Sequence, residues 1–283
     1  MLNDYTKQAA VWDWDAYDET PEYEYWRNYA ANYGKNVLIP MCAHGKTGIG
    51  LAERGLYVTA FDLSPEMIAE GKKRYGRRMH TLSEIFPDIK CIGASENAKG
   101  PRLKPKGHLR LLVADITDLH LHRNDFDFAF IAGNGDLHLL PSIAEVEKAF
   151  CEIGKHLRPG GGLALELSLP GQESWHSPKR VFHPRVPGYA DKKVWKENEN
   201  TYHADTRQHI IDQTVYIQDE NGTESFTQQV CLQLYPREEI LAALEKCGFH
   251  VVGEYSDREK TPWLAAASGD RGNTTWILEA VKQ

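Results

Sequence analysis

Three positions have the residue types and the spacing needed to hold a nucleoside. Gly45 and Asp62 each directly follow a short apolar run or its turn, and Asp115 closely follows a third apolar run. A tight turn into a helix can hold an anionic group with its backbone amides, and a carboxylate beside it can accept hydrogen bonds from two ribose hydroxyls. A second carboxylate can accept a hydrogen bond from the exocyclic amine of adenine. These positions predict a site for an adenosine-type cofactor.

The elements that would position these residues begin between Asn36 and Met67. Val37 to Ile39 is a short apolar strand, Thr47 to Arg54 carries apolar residues at helical spacing until Gly55, and Tyr57 to Phe61 is a second strand. A parallel pair of strands joined by so short a helix has its turn and its terminal acid at the same edge of the sheet.

The spacing of the glycines separates the cofactor chemistries that use such an edge. Gly45, Gly48 and Gly50 run in the reverse order of gaps from the Gly-x-Gly-x-x-Gly fingerprint, which argues against NAD. A Walker loop needs a glycine where this chain has Pro40, which has no amide to donate to phosphate. A nucleoside triphosphate site is therefore disfavoured too.

The stretch VLIPMCAHGKTGIGLAERGLYVTAFDLSPEMI resembles the first two motifs of the class I S-adenosylmethionine-dependent methyltransferases. The later stretches LLVADITDLHLHRNDFDFAFIAGNGDLHLL, HLRPGGGLALEL and YPREEILAALEKCGFHVV resemble the family's remaining strands and helices in the same order. The resemblance implies an α/β fold with a doubly wound, Rossmann-like sheet of seven strands in the order 3-2-1-4-5-7-6 and a small antiparallel β cap. It also implies an enzyme that transfers a methyl group from S-adenosylmethionine to a small-molecule acceptor by in-line displacement.

The resemblance also implies the cofactor contacts. They are Tyr17, Met41, Cys42, Ala43, His44, Gly45, Asp62, Leu63, Met67, Asp115, Ile116, Ala132, Gly133 and Asn134. Ala43 and His44 stand where the family usually has Gly and Thr or Ser, and Ile39 stands where an acid is often found. These departures motivate an alternative, a protein of the same fold that binds the cofactor only to sense or scaffold, or that uses it for lyase or hydrolase chemistry.

Methyl transfer from a sulfonium needs alignment and exclusion of water more than a protein nucleophile, so no nucleophile motif is expected. A general base is needed only for a protonated acceptor, and the candidates are Asp136, His138, Tyr17 and His176. Candidate acceptor-binding residues are Trp175, His176, Arg207 and Tyr235. The loop at 132–138 could equally be a simple glycine-rich turn.

The remaining pattern predicts the domain organisation. Further strands are expected at 109–113, 126–131, 163–169, 250–255 and 274–281, and further helices at 65–75, 145–157 and 237–247. Residues 1–34 form an N-terminal lid or packing helix, residues 35–169 and 236–283 the methyltransferase domain, and residues 170–235 an inserted cap. In the cap, the segment 170–193 is expected to be irregular, and a strand at 193–195 is expected to pair with a hairpin at 210–235. The cap would either cover the acceptor or form the interface of a homodimer. The segment 76–108 is an insertion, either a solvated loop or a basic flap.

The composition indicates which binding partners and which cellular compartment to expect. A formal net charge of −7 argues against a nucleic-acid partner, because phosphate neutralisation needs a basic surface. The five cysteines are scattered and odd in number, so reduced thiols are expected and neither a disulfide nor a zinc site is. His120 and His122 lack a third ligand, so no metal is expected. No apolar run could span a bilayer, and a cytoplasmic location is expected.

Overall fold

The computed structural model describes residues 7–9, 20–84, 107–133, 136–170, 177–182, 193–263 and 275–283. The helices are α1 (Thr20–Ala30), α2 (Lys46–Glu53), α3 (Pro65–Glu84), α4 (Ile143–His156) and α5 (Arg237–Lys246). The strands are β1 (Asn36–Ile39), β2 (Tyr57–Asp62), β3 (His108–Val113), β4 (Phe126–Ile131), β5 (Leu157–Ser168), β6 (Ser177–Phe182), β7 (Lys193–His203), β8 (Gln208–Asp219), β9 (Gly222–Gln233), β10 (Phe249–Tyr255) and β11 (Thr275–Lys282). Within these ranges, no helix combines the length and the apolar character that a membrane crossing requires.

Seven strands form one sheet in the order β3-β2-β1-β4-β5-β11-β10. Strands β1 to β5 are parallel, and β11 and β10 are antiparallel to their neighbours. Because β10 and β11 are the sixth and seventh strands of this sheet along the chain, the predicted order 3-2-1-4-5-7-6 is confirmed. The carboxyl ends of the five parallel strands meet at one edge, where ligands bind in open α/β sheets.

Helices cover both faces of the sheet, as the alternation along β4 shows. Ala129 and Ile131 pack with α4 and α5 through residues such as Phe150, whereas Phe128 and Phe130 pack on the opposite face with α1, α2 and α3. Successive side chains of a strand point to opposite faces, so an almost wholly apolar strand needs a helical layer on each side.

Helix α1 packs on the sheet by stacking its aromatic rings. Trp26 stacks on Phe130 with ring centroids 4.1 Å apart, and Tyr33 stacks on Phe128 at 5.4 Å. The Tyr33 hydroxyl also donates to Glu279 of β11 at 2.7 Å. Residues 20–30 are therefore a packing helix, whereas the predicted lid residue Tyr17 lies outside the described residues.

The inserted region contains a four-stranded antiparallel sheet in the order β6-β7-β8-β9. Strands β8 and β9 form the predicted hairpin, and β7 contains the predicted strand at 193–195. The expectation that 170–193 is wholly irregular was wrong, because β6 pairs with β7 along Ser177–Phe182. Strand β6 contains Pro178, which is tolerated because β6 lies at the edge of its sheet.

Two predicted boundaries were also wrong. Helix α3 continues to Glu84 instead of ending near Tyr75, because an isolated glycine such as Gly76 weakens a helix without stopping it. Strand β5 begins at Leu157, and the turn predicted at 159–162 is an irregularity inside it, with Gly160 at φ 73°. Of the predicted insertion, 85–106 lies outside the described residues.

The expectation of reduced cysteines was wrong for one pair. Cys151 in α4 and Cys247 at the end of α5 form a disulfide, with Cα atoms 4.8 Å apart. They are separated by 96 residues, so only the packing of α4 against α5 brings them together. Cys42 and Cys231 are free thiols.

Candidate active site

The predicted cofactor residues of the described chain gather at the carboxyl edge of β1, β2, β3 and β4. The backbone between β1 and α2 turns sharply there, with positive φ values at Met41 (54°), Ala43 (49°) and Gly45 (84°). The amide of Cys42 donates to the Phe61 carbonyl at 3.0 Å, which ties this loop to β2. Non-glycine residues with positive φ store strain and are concentrated at functional sites.

Gly45 cannot be replaced by a larger residue without a rearrangement. It precedes α2, and a Cβ atom at this position would lie 2.5 Å from the Leu111 side chain. Having no side chain, Gly45 also caps none of the amides in the first turn of α2. Amides at a helix N-terminus favour an anionic group, such as a carboxylate of a ligand.

His44 contributes to this loop through its backbone. Its side chain is 1% exposed and its ring meets Tyr75 of α3 edge-on at 5.8 Å. Its carbonyl packs closely on α3, where a Cβ at Gly71 would lie 2.1 Å from the His44 oxygen. The imidazole thus anchors the loop to α3, at the position where the family usually has Thr or Ser. Met67 is likewise only 1% exposed, so its side chain belongs to the core.

Asp62 organises the turn and faces the edge. One carboxylate oxygen accepts the amide of Ala43 at 2.8 Å and the other accepts the amide of Ser64 at 2.9 Å. Burial raises the pKa of Asp62, and these amides oppose the effect. Each carboxylate oxygen can accept a further hydrogen bond, so Asp62 can still take two ribose hydroxyls.

Two exposed apolar side chains flank Asp62. Leu63 is 48% exposed and Val113 is 53% exposed, and the register of β2 and β3 pairs Asp62 with Val113. Large apolar side chains at the ends of two adjacent core strands suit the faces of a purine ring. Sequence reasoning named Leu63 and Ile116 as these walls. It missed Val113, and Ile116 is buried with only 5% exposure.

Asp115 caps a turn with one carboxylate oxygen. This oxygen accepts the amide and the hydroxyl of Thr117, both at 2.8 Å. The second oxygen takes part in neither bond. Asp115 can thus cap the turn and accept a hydrogen bond from the adenine amine at the same time.

The loop after β4 presents Ala132, Gly133 and Asp136. Gly133 has φ 83°, and its carbonyl accepts the Asp136 amide at 3.1 Å. Burial raises the pKa of Asp136 well above its usual value, and the negative charges of Asp62, Glu166 and Glu22 raise it further. Among the described residues no cation contacts this carboxylate.

Sequence reasoning missed the groups that surround Asp136. Glu166, Glu22 and Arg258 come from β5, α1 and the turn after β10; Glu166 lies in the quoted stretch HLRPGGGLALEL, whereas Glu22 and Arg258 lie in none of the quoted stretches. Glu166 stands in an otherwise apolar strand, and that isolated acid was the one signal in the sequence that could have been used.

His138 and Tyr235 join the cap to the main sheet. His138 is 1% exposed; its Nδ1 lies 3.0 Å from the Gln233 carbonyl, and its Nε2 accepts the Ser168 amide at 3.0 Å. Burial lowers the pKa of His138 to about 4. With both ring nitrogens engaged, His138 has no lone pair left for an acceptor proton, so the geometry argues against its role as a base.

Tyr235 and Arg207 also make contacts that join the cap to the rest of the protein. The Tyr235 hydroxyl donates to the Leu140 carbonyl and its ring stacks near His138 with centroids 6.1 Å apart. Arg207 donates to Glu239 of α5 at 2.7 Å. The described contacts of these two predicted acceptor-binding residues therefore hold the cap in place. The other predicted site residues, Tyr17, Asn134, Trp175 and His176, lie outside the described residues.

The donor set fits S-adenosylmethionine better than a nucleotide with several phosphates. The edge offers a carboxylate for ribose, apolar walls for adenine and a tight loop with amides for one carboxylate. Around the next loop the charges of Asp62, Glu166 and Glu22 are negative, which suits a sulfonium and repels phosphates. A Cβ at Gly133 would lie 3.1 Å from Asp136, so glycine keeps this space open.

Comparisons with known proteins agree with this geometry. Residues 41–165 match a family described as Methyltransferase domain. None of the curated proteins matches the sequence. Among solved structures, the chain is similar to an S-adenosylmethionine-dependent methyltransferase from Clostridium acetobutylicum (15% identity, TM-score 0.69, 98% of each chain covered).

Two further structures resemble the chain over nearly its whole length. One is CalS10, an amino pentose methyltransferase from Micromonospora echinaspora with S-adenosylmethionine bound (17% identity, TM-score 0.66, covering 100% of this chain and 99% of that chain). The other is the sugar N-methyltransferase KedS8 from a Streptoalloteichus species (18% identity, TM-score 0.67, covering 100% of this chain and 94% of that chain). At these identities the structures establish the shared fold, while the match at 41–165 identifies the domain. Residues 41–165 therefore form a methyltransferase domain, and the whole chain has the fold of S-adenosylmethionine-dependent methyltransferases.

Proposed function

We propose that this enzyme methylates an amine nitrogen of a small polar molecule, and that an amino sugar is the favoured class of acceptor. One observation carries the proposal: the negative charges of Asp62, Glu166 and Glu22 act on Asp136 in the loop after β4, and within the described residues Arg258 contacts two of these carboxylates, Glu166 and Glu22. Amines carry a positive charge near neutral pH. An excess of carboxylates attracts and orients such a cation.

The chain's own residues then have distinct roles. Asp62, Leu63, Val113, Asp115 and the loop at 41–45 would hold the cofactor, which supplies an activated methyl group on a positively charged sulfur when bound. Asp136 accepts a proton from the acceptor ammonium, which leaves the nitrogen with a free lone pair. A raised pKa suits this role, because a carboxylate with a raised pKa is a stronger base.

Similar structures support the amine and the sugar. CalS10 is described as an amino pentose methyltransferase and KedS8 as a sugar N-methyltransferase, and the chain resembles both over nearly its full length. The alternative of a cofactor-binding sensor or scaffold is not favoured, because the matched domain is a methyltransferase domain.

The cofactor site is tested by calorimetry with S-adenosylmethionine and S-adenosylhomocysteine. Asp62→Asn should weaken binding by at least about 100-fold, because hydrogen bonds to a charged group contribute about 1.5–3 kcal/mol each. Asp118→Asn is the matched control, since the Asp118 side chain is 77% exposed beside His120. Equal affinity of the two variants for the cofactor would show that Asp62 does not take part in cofactor binding.

The acceptor is tested with labelled donor and paired compounds. Amino sugars and their hydroxyl analogues of the same ring should be compared, and label is expected only on the amines. Asp136→Asn should lower methylation of the amine while leaving the affinity for S-adenosylhomocysteine within a few-fold. Transfer to the hydroxyl analogues alone would refute the amine assignment.

We further propose that residues 170–235 form a cap over the acceptor, residues 35–169 and 236–283 the catalytic domain, and residues 1–34 an N-terminal lid and packing segment. A homodimer through the cap and the lack of a nucleic-acid partner stay predictions, testable by sedimentation and by a DNA-binding assay.

A cytoplasmic location also stays a prediction, and the Cys151–Cys247 disulfide is unusual for it, because disulfides persist mainly in oxidising compartments. Rapid alkylation of intact cells followed by mass spectrometry would show whether this pair is oxidised in the cell.

A further inference from the structure

An ion pair between a buried carboxylate and an arginine that is 39% exposed lies beside the loop that carries Asp136. The side chain of Glu166, in β5, is 4% exposed. Arg258, in the turn after β10, donates two hydrogen bonds to its carboxylate. The Arg258 Nε lies 2.7 Å from one carboxylate oxygen and a terminal guanidinium nitrogen lies 3.0 Å from the other. Such two-pronged pairs fix both orientation and distance.

The same pair contacts two further elements. The carboxylate of Glu166 accepts the amide of Gly133 at 3.2 Å, so it holds the first turn of the loop after β4. The guanidinium of Arg258 lies 3.9 Å from the Glu22 carboxylate and 5.4 Å from the centre of the Tyr25 ring, both on α1. Arg258 and Glu166 thus connect α1 and β5 to the acceptor loop.

We propose that Arg258 and Glu166 are positioning residues for the methyl acceptor: Glu166 fixes the loop through Gly133, and Arg258 balances the negative charge that faces Asp136. The proposal rests on the role of Asp136 in the proposed function. Neither residue has to touch the acceptor, and both act through the carboxylate that does.

Charge is the property that separates this role from simple packing. The groups that face Asp136 are Asp62 at the end of β2, Glu166 on β5, Glu22 on α1 and the thiol of Cys42 in the loop after β1, with Arg258 as the balancing cation. Removing Arg258 leaves the carboxylates uncompensated and should raise the pKa of Asp136. Removing the charge of Glu166 while keeping Arg258 should lower it.

The test is an NMR titration of the Asp136 carboxyl carbon in the cofactor-free enzyme, with the signal assigned by its loss in Asp136→Asn. Arg258→Met should move the midpoint upward and Glu166→Gln downward, each by about 0.5 to 1 pH unit. Arg258→Lys keeps the charge and should return the midpoint to within a few tenths of a unit of the wild-type value. In the active enzyme, the acid limb of the kcat/KM profile should move in the same directions.

The matched control is Arg237→Met, which removes a similar two-pronged pair with Glu254 at 2.7 and 2.6 Å and should leave the Asp136 midpoint unchanged. Shifts in the same direction for Arg258→Met and Glu166→Gln, or none, would overturn the proposal. Should Arg258→Met not fold, a downward shift in Glu166→Gln supports the proposal and an unchanged midpoint refutes it. The titration needs no turnover, so failure to methylate amines would refute the proposed function without affecting this readout.

Discussion

Acidification from pH 7 to pH 5 should destabilise this protein through His138, at the junction of the cap and the main sheet. The ring is 1% exposed and its Nε2 accepts the Ser168 amide at 3.0 Å, so protonation breaks that bond and leaves a charge in the interior. Burial accordingly lowers the pKa of His138 from 6.5 to about 4.

The magnitude follows from this pKa difference. Because the folded value is the lower one, the stabilising contribution is complete above the unfolded pKa of 6.5 and is lost as the pH falls toward 4. The whole loss amounts to about 3 kcal/mol, and about 2 kcal/mol of it falls between pH 7 and pH 5.

Urea titrations at both pH values measure the effect. Wild type and His120→Gln should lose the same free energy of unfolding, since the His120 side chain is 84% exposed. His138→Gln starts from a lower stability but should lose about 2 kcal/mol less than wild type on acidification. An equal loss in His138→Gln would refute the reasoning. If that variant does not fold, the His138 ring can be titrated by NMR in the wild type, and a midpoint at or above 6.5 would refute it as well.

Two further predictions concern the disulfide and the acceptor loop. Cys151→Ser/Cys247→Ser should lower the free energy of unfolding by about 4 to 5 kcal/mol, because the bond closes a loop of about 96 residues in the unfolded chain; an unchanged urea midpoint relative to the oxidised wild type would contradict this. Gly133→Ala and Gly248→Ala should lose similar stability, because both glycines have positive φ (83° and 78°). Only Gly133→Ala should lower kcat/KM, by about tenfold or more, because its Cβ would lie 3.1 Å from the Asp136 carboxylate whereas nothing lies within 4 Å at Gly248. Equal kcat/KM in the two alanine variants would show that the loop tolerates the displacement.

Much of the fold could be predicted from local pattern. Strand β4 has the predicted bounds, Phe126–Ile131, and the order of the seven-stranded sheet is the predicted one. Apolar runs and turn residues act over a few positions, and the right-handed βαβ connection leaves few ways to arrange them. Asp62 and Asp115 could be placed at one edge for the same reason.

Local pattern gave wrong predictions where contacts between residues distant in the chain determine the structure. Gly76 resembled a helix end, yet α3 continues past it, and the segment 170–193 was predicted to be irregular, yet it contains β6. Pairing with β7 stabilises β6, and β7 begins at Lys193, 11 residues after β6 ends at Phe182. His138 was one of the candidate bases, although the tertiary structure buries it and engages both ring nitrogens with Gln233 and Ser168 on other strands.

The sequence by itself determined the type and order of the core elements and the cofactor they serve, because these depend on residues close together in the chain. Only the tertiary structure decided which distant groups meet: Cys151 with Cys247, Asp136 with its surrounding carboxylates, and Arg258 with Glu166 across 92 residues. Electrostatic and hydrogen-bonding partners are chosen by distance in space, and the packing of helices on a sheet sets that distance.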